Sequence, residues 1–164
     1  MITLELTMAR IDLTALTTWI TAAAHDHPRD LPDMLAGLAG VQRQTAVRRL
    51  GELIDLQWLT RTGHGKDVRY APGLLRQIVR HYALDGLAED LPWSHDFARY
   101  FALPPNVQRL TQHAFCELLN NAIDHSDGTG VTVSLRQTPS HVQLLVSDDG
   151  CGILPDELPV ALKR

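Results

Sequence analysis

Cysteine is scarce. The 164-residue chain has two, Cys116 and Cys151, and they form no Cys-x-x-Cys pair. Two such residues are too few for a disulfide framework, and the expected compartment is a reducing cytoplasm. No apolar run approaches the ~20 residues that span a bilayer, so no membrane partner is expected. The N-terminus, Met1-Ile2-Thr3-Leu4-Glu5, carries an early acid and lacks the basic-then-apolar order of a secretory signal. Aromatic residues make up 5%, and four of them (Trp93, Phe97, Tyr100 and Phe101) lie between positions 93 and 101. What remains is ordinary for a globular chain: 45% hydrophobic and 21% charged residues, which excludes a disordered or collagen-like class. The length suits one domain or two small ones.

The net charge of −4 conceals a gradient. Residues 1–40 carry −3, residues 41–81 carry +5 from eight basic and three acidic groups, and residues 82–164 carry −6. A basic middle beside an acidic C-terminal half predicts two units with different partners.

In the first half, Leu13, Leu16, Trp19, Ile20 and Ala23 recur at helical spacing behind Asp12, a natural N-cap. Leu31 to Ala39 predicts a second short helix that Gly40 stops. A third begins near Gln42, with Val47, Leu50, Leu53 and Ile54 as its inner face and Gln42, Arg43, Thr45, Arg48, Arg49 and Glu52 pointing away. Two alternating segments, Trp58–Thr62 and Asp67–Ala71, flank Gly63-His64-Gly65-Lys66 and read as a hairpin. This succession resembles the winged helix-turn-helix of bacterial regulators, assigned to residues 1–84. The resemblance implies DNA as partner. Gln42, Arg43, Gln44, Thr45, Arg48 and Arg49 lie on the recognition helix, where Arg and Gln make bidentate contacts to base edges. Arg61, Lys66 and Arg69 lie on the wing, placed for phosphates. The alternatives are a solvated basic face or a protein-interaction module.

Residues 74–87 are expected to be helical through Leu75, Ile78, Val79, Tyr82 and Ala83. Residues 85–104 are assigned as a connector whose aromatics pack between the halves. Ser94-His95-Asp96 has the look of a phosphoacceptor box, but His95 stands only 22 positions before Glu117, too close for the helical hairpin such boxes require. His25-Asp26-His27 is a weak metal signal, better read as a solvated loop.

Residues 106–124 hold the strongest helical pattern, with Val107, Leu110, Ala114, Leu118 and Ala122 as its apolar face. Glu117 and Asn121 stand four apart on one face, so their oxygens can address a metal–phosphate group together. Two strands follow, Val131–Leu135 and Val142–Val146, and then Asp148-Asp149-Gly150-Cys151-Gly152-Ile153. Glu-x-x-x-Asn-Ala on a helix, two strands and Asp-x-Gly-x-Gly-Ile resemble the first half of a GHKL ATPase domain, the family of gyrase-type and MutL-type ATPases and histidine kinases. The expected fold class is α+β: the winged unit, connector helices, and over 105–164 an incomplete GHKL-type sandwich of long helix and hairpin. The resemblance implies ATP and Mg²⁺. Asp148 accepts the adenine amine, because a carboxylate only accepts. Gly150 and Gly152 let the backbone approach the base. Asn121 holds Mg²⁺, with Asp124 also in the ATP site, and Glu117 is the catalytic base for an attacking water. Histidine kinases carry Asn where this chain has Glu117, so hydrolysis or switching is expected ahead of kinase chemistry. The plain alternative is a solvated helix face and an ordinary turn, in a DNA-binding or interaction module whose second half is structural.

The family also has a second Gly-rich box that donates backbone N–H groups to the phosphates. Residues 154–164 contain none. A fragment, a frameshift near residue 153 or a reduced regulator each account for that. Weak or absent ATP binding is expected, with a homodimer as the oligomer left open.

Overall fold

Apolar residues three and four apart build the first unit from three helices. Residues 12–150 are described by the computed structural model. They gather into two units, residues 12–78 with 135–143, and residues 79–134 with 144–150. In the first, α1 (Leu13–Asp26) starts at Asp12, whose carboxylate accepts from the Thr14 amide at 2.9 Å. That satisfies one of the orphan donors of a helix N-terminus. α2 (Leu31–Ala39) has Pro32 in its first turn and ends at Gly40, φ 61°, in the left-handed region. There Val41 N–H donates back to the Ala36 carbonyl at 3.1 Å, closing the helix end. α3 (Arg43–Asp55) ends in the same manner on Gln57, φ 65°, with Trp58 N–H donating to the Leu53 carbonyl at 2.9 Å.

An antiparallel hairpin follows. β1 (Leu59–Thr62) pairs with β2 (Arg69–Pro72), Leu59 opposite Pro72 and Thr62 opposite Arg69. Tyr70 N–H donates to the Pro28 carbonyl at 2.7 Å, which ties the hairpin to the α1–α2 loop. Leu16, Ile20, Leu31, Leu35, Leu50 and Leu59 are nearly or fully buried together.

The inner face of α3 differs from the expected one. Ala46, Leu50 and Leu53 are fully buried, whereas Val47 is 40% exposed and Ile54 half-buried. Ala46 and Val47 are both apolar and adjacent, so periodicity alone left the face uncertain by about one residue. The smaller side chain faces the core.

The helix expected over residues 74–87 is a strand, β3 (Arg76–Ala83). Ile78, Val79 and Tyr82 fit a helical stripe and a pleated strand equally well, and β-branched and aromatic residues favour the pleat. Pairing decides it. β3 joins β4 (Gly130–Gln137) and β5 (Val142–Asp148) in a sheet of order β3-β4-β5. Leu84 N–H donates to Thr129 O at 3.0 Å, and the His81 ring meets the Thr132 hydroxyl at 2.7 Å. Both pairs share one antiparallel register. Asp149 N–H to Gly130 O (3.1 Å) and Thr138 N–H to His141 O (2.9 Å) set an antiparallel register for β4 and β5 in the same way. Each of these strands divides its residues between the two units.

The connector is helical but broken: α4 (Asp90–Pro92), a π turn over Trp93–Phe97 and a 3₁₀ turn over Ala98–Tyr100. Trp93 and Phe97 meet Phe115 edge-on inside the second unit, at 5.4 and 5.0 Å between ring centres. Tyr82 donates to Asp96 at 2.8 Å, fixing the π turn to β3. Burial first, and then this bond to Asp96, raise the Tyr82 phenol well above its ordinary range.

α5 (Pro105–His125) begins with Pro at its first position, where a missing N–H costs nothing. Its buried residues are Thr111, Phe115, Leu119 and Ala122. Two residues expected inside, Leu110 and Leu118, are 70% and 42% exposed. Phe115 supplies the reason: its large ring turns the buried stripe toward the aromatic cluster. Among the described residues no helix is long and apolar enough to cross a membrane.

The α3 assignment has a direct test. Leu50→Ala should lower stability by about 2–5 kcal/mol, while Val47→Ala should change it by roughly 0.5 kcal/mol or less. Equal losses in urea unfolding would put Val47 back in the core.

Candidate functional site

Fixing α5 through Phe115 turns Glu117, Asn121 and Asp124 outward together, and all three are exposed. His113 lies 4.0 Å from Glu117 in a well-solvated contact that contributes little. At the C-terminal end of α5, Ser126 is buried and its hydroxyl accepts from Gly128 N–H at 3.0 Å.

The end of β5 returns to this point. The Asp149 carboxylate accepts from Thr129 N–H (2.7 Å), Gly130 N–H (2.8 Å) and the Thr129 hydroxyl (2.7 Å). These bonds, led by Gly130, hold its pKa below the ordinary 3.8. Gly150 then passes so close to Ser126 that a Cβ would overlap the Ser126 carbonyl. Gly128 is crowded in return, since a Cβ there would meet the Asp149 carboxylate and Gly150 N. The helix end that carries Asn121 and Asp124 and the turn that carries Asp148 and Gly150 are therefore adjoining parts of one closure.

Asp148 itself is exposed, and its Oδ1 accepts from Gly150 N–H at 3.0 Å. It borders a cavity of about 250 Å³ with His81, Thr132, Ser147 and Asp149. No α5 side chain lines that cavity among the described residues, so Glu117 and Asn121 open to solvent elsewhere on the same unit. Gly152, expected to border the base, lies outside the described residues, as does Cys151. Cys116 is half-buried; burial, then Glu89, Asp90 and Glu117, push its thiol pKa up, which suits an unreactive thiol.

Three residues of this region had no assigned role in the sequence. His81 and Thr132 meet only because 76–83 is a strand. Asp149 sits beside the motif residue Asp148, and its signal was the nearby Asp127-Gly128-Thr129-Gly130 turn, whose amides need an acceptor.

The nine residues expected at DNA all lie in the first unit. Gln42, Arg43, Gln44 and Arg48 are exposed on or before α3, and Arg61, Lys66 and Arg69 are exposed on or beside the hairpin strands. Thr45 is half-buried. Arg49 is turned inward, 20% exposed, with its guanidinium on Glu52 at 2.7 Å. Arg43 Nε donates to Asp33 at 2.7 Å. His25 and His27 pair with Asp26 (2.9 Å) and Asp30 (3.3 Å). No group of three or more His, Cys, Asp or Glu able to hold a metal occurs among the described residues.

Residues 106–164 match the family model described as histidine kinase-, DNA gyrase B-, and HSP90-like ATPase. This segment is similar to the GHKL ATPases. The match covers about a third of the chain. A stretch of 51 residues is 45% identical to the DNA mismatch repair protein MutL of Caulobacter vibrioides, strain NA1000 / CB15N, and equally to that of strain ATCC 19089 / CIP 103742 / CB 15. The aligned stretch is 31% of this chain but spans only 8% of the relatives' length. No solved structure matches.

The closure generates two expectations. Gly150→Ala should lower stability by about 1–3 kcal/mol through overlap with Ser126, read by thermal unfolding; a neutral result would show that the approach is loose. The second concerns acid. A depressed carboxylate pKa stabilises the fold above the unfolded value of 3.8, and that stability disappears as pH falls through the lower folded value. Wild type should therefore lose more stability than Asp149→Ala between about pH 6 and pH 3. Equal losses in parallel melts would remove Asp149 from the closure.

Proposed function

We propose that this chain is a DNA-binding regulatory protein whose first unit is a winged helix-turn-helix and whose GHKL ATPase-like module binds ATP·Mg²⁺ weakly. One observation carries the DNA reading. Three helices lead into an antiparallel hairpin, with Gln44 and Arg48 exposed on the third helix and Arg61, Lys66 and Arg69 exposed on or beside the strands. A helix of that kind fits a major groove, and a basic hairpin beside it meets phosphates. Arg49 is the weakest member of the expected set, because Glu52 already takes its guanidinium.

In the second unit the donors fit a magnesium nucleotide chemically. Asn121 offers Mg²⁺ a hard amide oxygen, with the carboxylates of Glu117 and Asp124 on the same exposed stretch of α5. Mg²⁺, if bound, would supply positive charge to offset that of the phosphates. Asn121 would hold it through its amide oxygen. Asp148 offers a carboxylate to an exocyclic amine, and Glu117 holds a water and takes its proton. Glu at 117 favours hydrolysis or switching over phosphotransfer. The likeness to a DNA mismatch repair protein supports a role alongside DNA. A cytoplasmic location fits the cysteine usage, and a homodimer is compatible with this reading.

A second reading, in which the module is only structural, draws on the bond from Gly150 N–H to Asp148, which spends one carboxylate oxygen on its own turn. Ligand linkage separates the two. Millimolar ATP·Mg²⁺ should stabilise the chain by about 1 kcal/mol or less, and Asn121→Ala or Asp148→Ala should abolish the gain. No gain at all favours the structural reading. On labelled duplex DNA, log affinity should fall linearly with log salt, and Lys66→Ala should reduce the slope by about 1. Arg48→Ala should cost about 1–3 kcal/mol on a preferred site. Affinity indifferent to salt and to both substitutions would refute DNA binding.

A further inference from the structure

α3 contains a glycine that neither backbone nor packing requires. Gly51 lies well inside the helix, its φ is not positive, and a Cβ built there would find no neighbour within 4 Å. Glycine at a helix interior is destabilising relative to alanine, by roughly 0.5–1 kcal/mol. What Gly51 leaves open is a groove of about 550 Å³ between α3 and the β1–β2 hairpin. That volume falls within the range of small-molecule sites, about 300–1,000 Å³.

The groove has two layers. Its floor is apolar: Tyr70 and Pro32 are buried, and Ile54 and Val68 are half-buried. Its rim is cationic: Arg29, Arg43, Arg61 and Lys66 are all exposed. No carboxylate lines it among the described residues; Asp33 accepts one bond from Arg43 Nε at the edge. A phosphate backbone needs the rim but has no use for the floor. An alkyl or aryl group needs the floor but not four cations. A ligand that is flat and apolar at one end and anionic at the other uses both.

We propose that this groove binds a small amphipathic organic anion, its apolar body over Gly51 against Ile54, Val68 and Tyr70, and its carboxylate or phosphate among Arg43, Arg61 and Lys66. An arginine fork suits a planar carboxylate or a phosphate, with two parallel N–H bonds. The inference stands on the groove alone and does not depend on DNA binding. If both hold, the occupant competes with phosphates for the same three cations.

The test is calorimetric titration of the full chain with 2-naphthoate, its neutral carboxamide and inorganic phosphate. 2-Naphthoate should bind with Kd below about 1 mM and at least tenfold tighter than either control. Gly51→Leu fills the groove from a position with open space around it; it should keep or raise the melting temperature and weaken 2-naphthoate at least tenfold. Arg61→Gln with Lys66→Gln should weaken it as much while leaving carboxamide binding unchanged. The proposal is overturned if 2-naphthoate binds no tighter than phosphate or the carboxamide, or if its binding survives Gly51→Leu. It is also overturned if 2-naphthoate fails to bind while duplex DNA does and loses affinity in the Arg61/Lys66 variant, since the rim then serves nucleic acid.

Discussion

The second unit depends on how the end of β5 is fastened to the end of α5. The strand leaves the sheet at Asp148, and the next two residues make the attachment. The Asp149 carboxylate gathers two backbone amides and a hydroxyl from residues 129 and 130, while Gly150 lies against Ser126 with no room for a side chain. Buried or crowded backbone donors need an acceptor, and an ionised carboxylate supplies several lone pairs at once. Both parts of the family-like motif are positioned by this contact. Glycine at 150 has a structural cause before any ligand arrives, and the same geometry leaves Asp148 exposed beside a shallow cavity.

The first unit depends on a different constraint, the rotation of α3. Leu50 and Leu53 are apolar on any alignment, but whether Ala46 or Val47 completes the stripe changes what the rest of the helix presents. With Ala46 inside, Arg43, Val47, Gly51 and Ile54 border the groove, Gln44 and Arg48 face outward, and Arg49 is drawn onto Glu52. One residue of rotation thus sorts these seven positions among groove, ion pair and outer face.

Much of this was legible from spacing and capping chemistry. Asp12, Gly40, Pro105 and the turn at 63–66 each mark a boundary through a local interaction, so α1, α2, α5 and the β1–β2 hairpin stand where their residues place them. The motif residues Glu117, Asn121, Asp148 and Gly150 were likewise visible as types at a spacing, and the family match falls on that segment. What was not legible involved partners distant in sequence. Residues 76–83 satisfy two periodicities, and only β4, some fifty residues on, selects the strand. Leu110 and Leu118 are apolar enough for a core, but the Trp93–Phe97–Phe115 cluster claims the buried stripe first.

By itself the sequence determined the caps and the turns, which rest on residues within about one helical turn of one another, and the charge gradient and the oxygen-bearing side chains of α5, which are matters of composition and spacing. Tertiary structure alone decided which face of α3 and of α5 is buried, that 76–83 is extended, and that Asp149 and Gly150 close onto 126–130. Those outcomes are competitions between near-equal local options, and long-range pairing and side-chain volume, which no local window contains, settle them.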